Sequence, residues 1–450
     1  MVAGLLMLAL LAAPASAQET PLTLEQCRSL TLRQNAEIRS SDLSVVEAEA
    51  TARAARTKYS PEISAGATAL TAATSFVKIG SHGGNLPVFD GSTRTALTAS
   101  LPSGSTAMAR HGYVGFLTAA QPLYAGGRIT NGNRLASLGI EVARENGLIA
   151  RRDALALTEE KYWRVVDLSE KQQTLEAYDA LLKALEAQAR DAVDAGLATR
   201  NDLLKVTVQR KKVDVDRMRL QSGIRLSARD LRRHIGLMEG DTISLADTLA
   251  TPSDPTLLKE TGEAGLARRP EMRQLERAVR AERLQTALKR GEMLPTASIG
   301  ALALRYEFSG LPPVSNVAVL GSVTIPISAR REVAQGIAAQ RAREQIAENR
   351  VDSSRHLIAL EIEKRWDDLH VAWRAAEVAD AAIDQSELNL REERDRYAAG
   401  LSTLSDLLEA EVLLHQAHDQ RIDARRDYWL ARAAYLRAIG RDDGASREGK

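Results

Sequence analysis

A twelve-residue stretch occurs twice in this 450-residue chain, and the sequence around it repeats with it. DAGLATRNDLLK at 194–205 returns as AAGLSTLSDLLE at 398–409, an offset of 398 − 194 = 204 residues. The pairs matched at this offset include Pro122 with Pro326, Tyr162 with Trp366, and the dipeptide IG at 235–236 with IG at 439–440. Self-similarity over this length indicates two copies of one structural unit, which constrains the fold more than any short motif does.

A second offset relates the segments that precede these matches. AEIR at 36–39 falls on PEMR at 270–273, and Pro61 falls on Pro295, both 234 residues later. The two offsets differ by 234 − 204 = 30, so the first copy carries 30 additional residues between Pro61 and Pro122.

The repeated stretch predicts a tight helix–turn–helix reversal in each copy. A glycine follows a long helical pattern and supplies a left-handed cap, a threonine then caps the next helix, and an aspartate stands three residues further on. These residues are Gly196, Thr199 and Asp202 in the first copy, and Gly400, Thr403 and Asp406 in the second.

Each copy is predicted to contain helices and one pair of strands. A first helix opens with a capping box at Thr23 and continues to about Ser60. Alternating patterns predict strands at about 61–73, 112–124, 295–308 and 315–328, and the Gly-, Ser- and Thr-rich segment 74–111 is expected to be an exposed loop. Further helices are expected at about 127–194, 200–236, 265–293, 331–398 and 404–438.

The helices at 127–194 and 331–398 are unusually long. At ~1.5 Å per residue each would extend roughly 100 Å. Their apolar residues step by three and four, as in the series Ile362, Trp366, Leu369, Trp373 and Ala376. This spacing is typical of a coiled-coil seam.

The amino terminus predicts export. The apolar run in MVAGLLMLALLAAPASAQ is followed by Ala15-Ser16-Ala17, so we expect a signal peptide at 1–17. No later segment approaches 18 continuous apolar residues, so any membrane-spanning part has to be built from strands. Four strands cannot close by themselves, whereas two chains would supply eight and three would supply twelve.

The motifs and their order resemble the TolC-like outer-membrane efflux protein (outer membrane factor) family. The resemblance rests on LTLEQC near the amino terminus, QPLYAGGR at 121–128, RYAAGLSTLSDLLEAE at 396–411 and the tandem organisation. It implies a mainly α fold with β, in which a long α-helical coiled-coil barrel joins a trimeric 12-stranded transmembrane β-barrel with four strands from each chain.

The resemblance also divides the chain and implies its location. The expected parts are the signal peptide, a first efflux-protein repeat at 18–236, an inter-repeat connector or equatorial segment at 237–264, a second repeat at 265–440 and a flexible tail at 441–450. The protein is expected in the bacterial outer membrane, in contact with its lipid, with the helical barrel in the periplasm. Its implied partners are two copies of itself, a periplasmic adaptor protein and an inner-membrane pump.

Two sets of site residues follow from the resemblance. The periplasmic gate or constriction is expected at Asp202, Tyr397, Asp406 and Glu409. Adaptor docking is expected at the two turns, through Gly196, Leu197, Thr199, Gly400, Leu401 and Thr403. For the glycines and threonines, helix capping alone is a sufficient alternative role. An aspartate in the first turn of a helix is stabilised by the helix dipole, so its position does not require it to line a pore.

No catalytic pattern is present, and we expect neither an enzyme nor a cofactor. The sequence lacks a G-x-S-x-G, H-E-x-x-H or phosphate-binding glycine motif in a strand-to-helix context. His415 and His418 share one helix face, but no third ligand is close in sequence, so no metal site is predicted. With 60 basic and 59 acidic residues the chain has no net basic character for nucleic-acid binding.

Two functions remain open at this stage. The first is a passive exit duct of a tripartite efflux or type I secretion system. The second is a structural periplasmic coiled-coil protein that does not conduct. Four strands of bilayer length favour the duct, and nothing in the sequence identifies the exported substrate or the class of pump.

Overall fold

The computed structural model describes residues 21–74, 77–88, 97–101, 103–108, 110–196, 198–237, 243–327 and 330–441. The predicted signal peptide, the predicted tail beyond Arg441, and Leu197 lie outside these residues.

Eight α-helices lie within the described residues, two of them very long. Their bounds are α1 Leu24–Gln34, α2 Ala36–Thr57, α3 Arg128–Asp194, α4 Arg200–His234, α5 Gly262–Arg268, α6 Pro270–Gly291, α7 Arg330–Ala398 and α8 Leu404–Ala438. Helix α3 has 67 residues and α7 has 69. The segment between the two repeats contains a short 3₁₀ helix, Pro255–Leu258, and a parallel bridge between Leu22 and Leu245.

Two strands from each repeat form one antiparallel sheet. The strands are β1 Glu62–Thr71, β6 His111–Ala125, β7 Thr296–Phe308 and β8 Val314–Thr324, in the order β1-β6-β7-β8. The central pair β6–β7 joins the first repeat to the second. Strands β1 and β8 are the edges, and each has one side without a strand partner among the described residues.

The two faces of this sheet differ in chemistry. Residues directly opposite each other share a face, so Ile63, Ala119, Ala301 and Val319 lie in one row across all four strands. Ala, Val, Leu and Ile dominate this face, and Val317, Val319 and Val323 are each at least 70% exposed on it. The opposite face carries two hydroxyl pairs, Ser64 with Thr118 at 2.6 Å and Ser298 with Ser322 at 2.9 Å, together with apolar side chains such as the opposed Phe116 and Leu304.

A β-bulge in β6 changes the face on which its last residues lie. Pro122 pairs with Ser298, but Tyr124 pairs with the next residue of β7, Ala297, so Leu123 is the extra residue. Tyr124 therefore lies on the apolar face, as Tyr113 does near the other end of the strand. The two tyrosines are eleven residues apart, close to the ~9–11 residues that a tilted strand needs to cross a bilayer.

The insertion in the first repeat contains strands, whereas the sequence predicted an exposed loop at 74–111. The strands β2 Val77–Ser81, β3 Gly84–Val88, β4 Leu97–Leu101 and β5 Gly104–Met108 pair as β2 with β5 and β3 with β4. This pairing is nested inside the β1–β6 pair and so prolongs one hairpin. Glycine- and serine-rich composition conceals strands of this kind, because it gives little of the alternating apolar pattern by which strands are predicted.

Two helices that were predicted as continuous are each interrupted at an equivalent position. Asn35 separates α1 from α2, and Arg269 separates α5 from α6; both have extended backbone angles, with ψ of 133° and 122°. Pro270 disfavours a helical conformation at Arg269. Asn35 needs no proline, because its side-chain Oδ1 accepts the backbone N–H groups of Glu37 and Ile38 and so caps α2.

Contacts divide the chain into two units, with α3 and α7 contributing to both. One comprises the described parts of 1–45, 142–276 and 350–450, and the other comprises 46–141 and 277–349. The first is helical, and its core holds the buried aromatics Tyr162, Tyr428 and Tyr435. The second contains the sheet, together with parts of α2 and α6.

Candidate functional site

The first helical reversal joins α3 to α4 through Gly196. Its φ of +72° lies in the left-handed region that favours glycine, and its N–H donates to the Val193 carbonyl at 3.0 Å. The Thr199 hydroxyl accepts the N–H of Asp202, and the Asp202 carboxylate accepts the N–H and hydroxyl of Thr199. This reciprocal capping box satisfies backbone donors that the helix start would leave without partners.

The second reversal joins α7 to α8 with the same geometry. Gly400 has φ +73°. The Leu401 N–H donates to the Arg396 carbonyl at 2.8 Å, which completes the helix cap. The Asp406 carboxylate accepts both the Thr403 N–H and the Thr403 hydroxyl at 2.8 Å. The capping role that the sequence left open for these threonines and aspartates is therefore present.

The two reversals lie side by side. Behind them is a common apolar core to which α3, α4, α7 and α8 all contribute, including Leu185, Val206, Leu390, Leu404 and Leu407. On the exposed side, the Lys205 ammonium donates to Ser405 Oγ at 2.7 Å and to Asp202 Oδ1 at 3.3 Å. Lys205 thus connects the start of α4 directly to the start of α8.

The predicted acidic residues are held as carboxylates. The Thr199 hydroxyl hydrogen bond is the main cause that lowers the pKa of Asp202, and Lys205 adds to it. For Asp406 the backbone N–H of Thr403 is the main cause of a lowered pKa, with smaller contributions from Arg396 and Lys205. Both side chains remain ionised well below neutral pH.

The remaining predicted gate residues have different surroundings. Glu409 is exposed on α8, one turn beyond Asp406. Tyr397 is half-buried and packs against the apolar core. The hydrogen bonds of the Asp202 side chain go to Thr199 and Lys205, so the structure does not bring Asp202 and Tyr397 together as a polar pair.

The predicted docking residues that the structure describes lie at the surface of the two turns. Gly196, Thr199, Gly400 and Thr403 are exposed. Leu401 is 73% exposed, which is unusual for a leucine in a turn without a partner surface.

A groove of about 520 Å³ runs between α4 and α8 behind the turns. Its apolar wall includes Leu204, Val208 and Val412, while Lys205 and Glu409 are among its charged lining residues. Sequence reasoning placed Glu409 in the site but missed Lys205. The repeat contained the signal, because Lys205 is the residue that aligns with Glu409 at the 204-residue offset.

Two partly buried ion pairs connect the helices of the hairpins next to the turns. In the first repeat Arg210 on α4 pairs with Glu186 on α3. In the second, Arg394 on α7 donates to Glu411 on α8 at 2.7 and 3.2 Å, and the Glu411 side chain is only 3% exposed.

The two histidines that share one face of α8, His415 and His418, have different environments. His415 stacks on Tyr178, with ring centroids 4.7 Å apart, and burial lowers the pKa of His418. In the described part of the chain, no set of three or more His, Cys, Asp or Glu side chains is positioned to hold a metal ion. None of the described helices is long and apolar enough to cross a membrane.

Comparison with known proteins gives a family match for part of the chain. The model of the outer membrane efflux protein domain matches residues 263–441, which is the second repeat. Comparison with curated proteins gives no match.

Solved structures with the same fold cover almost the whole chain. The MtrE outer membrane channel of Neisseria gonorrhoeae has a TM-score of 0.73 at 16% identity, over 95% of this chain and 90% of its own. The outer membrane protein VceC of Vibrio cholerae has a TM-score of 0.69 at 16% identity, over 93% of this chain and 96% of its own. The CmeC outer membrane channel of Campylobacter jejuni gives 0.70 at 14% identity, over 93% and 85%.

The predicted fold class is therefore confirmed, and the family domain in the second repeat agrees with it. The solved structures with this fold are outer-membrane proteins and channels. The second repeat therefore matches an outer membrane efflux protein domain, and the chain as a whole has the fold of these outer-membrane proteins.

Proposed function

We propose that the chain forms a homotrimeric exit duct, which passively conducts substrates delivered by a periplasmic adaptor and an inner-membrane pump. The observation that carries this proposal is the four-stranded sheet with one apolar face, one hydroxyl-bearing face and two open edges. An open edge in lipid would leave several unpaired backbone groups. Pairing of β8 from one copy with β1 of the next removes both edges, and three copies give 3 × 4 = 12 strands.

The apolar face would then contact lipid and the hydroxyl face would line a water-filled interior. Tyr113 and Tyr124 lie on the apolar face near the two ends of β6, where aromatic residues of membrane barrels meet the lipid headgroups. The bulge at Leu123 contributes to this arrangement, because it moves Tyr124 to the lipid side.

The two reversals would form the periplasmic mouth. Three chains bring six reversals together, so Asp406 and Glu409 form two rings of three carboxylates each, and Asp202 contributes a third ring. Acidic rings at a constriction favour cations and bind multivalent ones. Leu401, with the turn residues beside it, would contact the adaptor.

Purified protein tests the duct directly. We expect trimers that resist dodecyl sulfate and ion conductance after insertion into planar bilayers. A folded, non-conducting monomer would favour the periplasmic spacer instead.

The mouth is tested in the same bilayers. Conductance should be cation-selective, and multivalent cations added to the periplasmic side should block it. The double change Asp406→Ala with Glu409→Ala should abolish the block; if block and selectivity both persist, the acidic residues act only in helix capping and solvation.

A further inference from the structure

We infer that Arg305, near the end of the sheet that is remote from the helices, binds the phosphate of a lipid in the outer leaflet of the membrane. A cavity beside Arg305 would hold part of the acyl chains of the same lipid. The inference rests on the proposed duct, in which the apolar face of the sheet contacts lipid, and it assigns a specific lipid site to that face.

Charged side chains on the apolar face are confined to one end of the sheet. Of the described residues in the four strands, only Arg305 and Glu307 place an Arg, Lys, Asp or Glu side chain on this face, and both are exposed. Glu307 lies directly opposite Tyr113, whereas Tyr124, at the end next to the helices, lies opposite Ala297. In the proposed duct the charged end therefore reaches the outer leaflet.

The side chains on either side of Arg305 are small. Its row across the four strands consists of Ala67, Gly115, Arg305 and Ser315. A Cβ added to Gly115 would have the Arg305 carbonyl oxygen, at 3.9 Å, as its nearest contact on another strand. The guanidinium is therefore accessible from the side that the proposed duct turns to lipid.

Two neighbouring groups orient the Arg305 side chain. The Tyr113 hydroxyl donates to Glu307 Oε2 at 2.9 Å. The guanidinium of Arg305 interacts electrostatically with the Tyr113 hydroxyl and with Glu307. Its five N–H donors form a planar fork, and this geometry matches two oxygens of a phosphate group.

A cavity of about 370 Å³ borders Arg305. Six of its nine lining residues belong to two neighbouring rows of the apolar face, so we place the cavity on that face. They are Gly115, Arg305 and Ser315 in one row and Leu117, Ala303 and Val317 in the next. The second row is nearer the middle of the sheet. The cavity therefore has a polar end at the level of the headgroups and an apolar end toward the centre of the bilayer.

A lipid with a phosphorylated headgroup matches both ends of this cavity. Arginine close to a membrane surface attracts anionic headgroups. An arginine on a lipid-facing strand is costly at the bilayer midplane and much less so near the interface, where Arg305 would lie. The acyl chains would follow the apolar face inward from Leu117 and Val317. A free phosphate would use only the guanidinium.

Native mass spectrometry of the detergent-solubilised trimer measures how much of each lipid is bound. The probes are lipid A, the phosphorylated glycolipid of the outer leaflet, and the same lipid after enzymatic removal of its phosphates. We expect the unmodified trimer to bind lipid A more tightly than the dephosphorylated lipid. Inorganic phosphate at the same concentration as lipid A should not displace it.

Three substitutions separate the parts of the site. Arg305→Gln should weaken binding of lipid A by about fivefold to tenfold and leave the dephosphorylated lipid unaffected. Gly115→Val fills the cavity without changing a charge, and it should weaken binding of both lipids by the same factor. Glu307→Gln removes the negative charge beside the site and keeps an acceptor for Tyr113, so it should strengthen binding of lipid A.

Arg110→Gln is the matched control. Arg110 is exposed immediately before β6, at the same end of the sheet, and lies outside the cavity lining. This substitution removes the same charge without altering the site, so binding of lipid A should stay within twofold of that of the unmodified trimer. Dodecyl-sulfate-resistant trimer should form in equal amounts for all variants.

The contrary outcomes are distinct. Equal losses in Arg305→Gln and Arg110→Gln would attribute binding to diffuse positive charge and overturn the site. Displacement of lipid A by inorganic phosphate would leave only an anion site and overturn the lipid. If Arg305→Gln does not assemble, unchanged binding in Gly115→Val overturns the proposal equally.

Weaker binding in Glu307→Gln with unchanged binding in Arg305→Gln would assign the headgroup to the carboxylate, through a bridging cation, and so overturn the role of Arg305. Conducting trimers that bind the two lipids equally overturn the lipid site and leave the duct intact. Trimers that never conduct in planar bilayers overturn the duct itself.

Discussion

Two glutamates in the helical hairpins form similar ion pairs with opposite effects on their protonation. Burial raises the pKa of Glu411 above its ordinary 4.5, even though Arg394 opposes the change. The hydrogen bond from Arg210 is the main cause that lowers the pKa of Glu186. The difference shows that desolvation exceeds the attraction of the arginine at Glu411 and does not do so at Glu186.

The pH dependence of stability should therefore differ in sign at these two residues. With a raised folded pKa, Glu411 favours the folded state less as pH rises from 4.5 through that pKa. With a lowered folded pKa, Glu186 contributes stability that is present above 4.5 and is lost as pH falls through its folded value. Thermal unfolding followed by the helical circular dichroism signal measures both effects.

We expect Glu186→Gln to destabilise more at pH 7.5 than at pH 4, by on the order of 1 kcal/mol at neutral pH. Glu411→Gln should show the reverse trend and be tolerated better at pH 7.5 than at pH 4. Parallel trends in the two variants would contradict this account, and each variant serves as the control for the other.

At the scale of single elements, the helix interruptions at Asn35 and Arg269 have the same structural role in the two repeats. Asn35 donates its side-chain N–H to the carbonyl of His234, at the end of α4. Arg269 donates to the carbonyls of Arg437 and Ala438, at the end of α8. In each repeat, the residue between the two helices donates hydrogen bonds to carbonyl groups at the end of a helix that is distant in sequence, α4 or α8. Carbonyl groups at a helix end have no partner within their own helix.

Replacement of Asn35 tests this element. Asn35→Ala removes both the cap of α2 and the bond to α4, and we expect a loss of about 1–2 kcal/mol in the free energy of unfolding. Asn35→Asp keeps the cap acceptor and loses only the donor to His234, so it should cost less. Equal thermal midpoints for the two variants would show that the cap of α2 contributes nothing, and a midpoint of Asn35→Asp equal to that of the unmodified protein would show that the bond to α4 contributes nothing.

The sheet makes a second prediction at this scale. Val319→Arg places a charge on the apolar face, where an arginine at the bilayer midplane costs about 2–4 kcal/mol. Membrane-inserted trimer should fall several-fold in the cell-envelope fraction. Ser322→Arg, on the opposite face of the same strand, is the control and should insert normally; equal losses would refute the assignment of the lipid-facing side.

The sequence predicted the fold class because its signals are long and periodic, and it missed features set by single side chains. Helical periodicity and the repeat identified α3 and α7, and a proline marks the interruption at Arg269. The interruption at Asn35 depends on the backbone groups to which its side-chain amide hydrogen-bonds. Helix propensity of the local sequence does not predict these contacts. The hydrogen bond from Lys205 to Ser405 likewise depends on α4 and α8 being neighbours, which a one-dimensional pattern does not contain.

At the scale of the whole molecule, apolar rows remain exposed on two helices. On α4 they are Leu204, Val208, Val215, Met218 and Leu226, spaced by 4, 7, 3 and 8 residues. On α7 they are Leu357, Leu360, Val371, Val378 and Leu388. Rows at coiled-coil spacing are expected to pack against other helices, and neighbouring copies of this chain are the partners that the proposed trimer supplies.

Charges in one row should prevent this packing. We expect Val208→Lys with Val215→Lys to shift the protein from trimer toward monomer, measured by light scattering in detergent. The control changes the exposed pair Arg219 and Asp216 on the same helix to Gln and Asn, which removes a surface ion pair of little energetic weight. A trimer that survives the two lysines would exclude this row from the interface.

A chain with two copies of one unit risks a characteristic folding error, in which an element of one copy docks in the other. Thr31 and Thr158 are fully buried and share a hydrogen bond of 2.7 Å. The equivalent positions in the second copy are Gly265 and Ile362, where a Cβ on the glycine would lie 2.9 Å from Ile362 Cδ1. Exchange of the two helices would force a threonine against the isoleucine in one place and remove the hydrogen bond between the two threonines in the other. Both contacts therefore disfavour the interchange. This difference between the two copies favours the packing of each helix within its own repeat during folding.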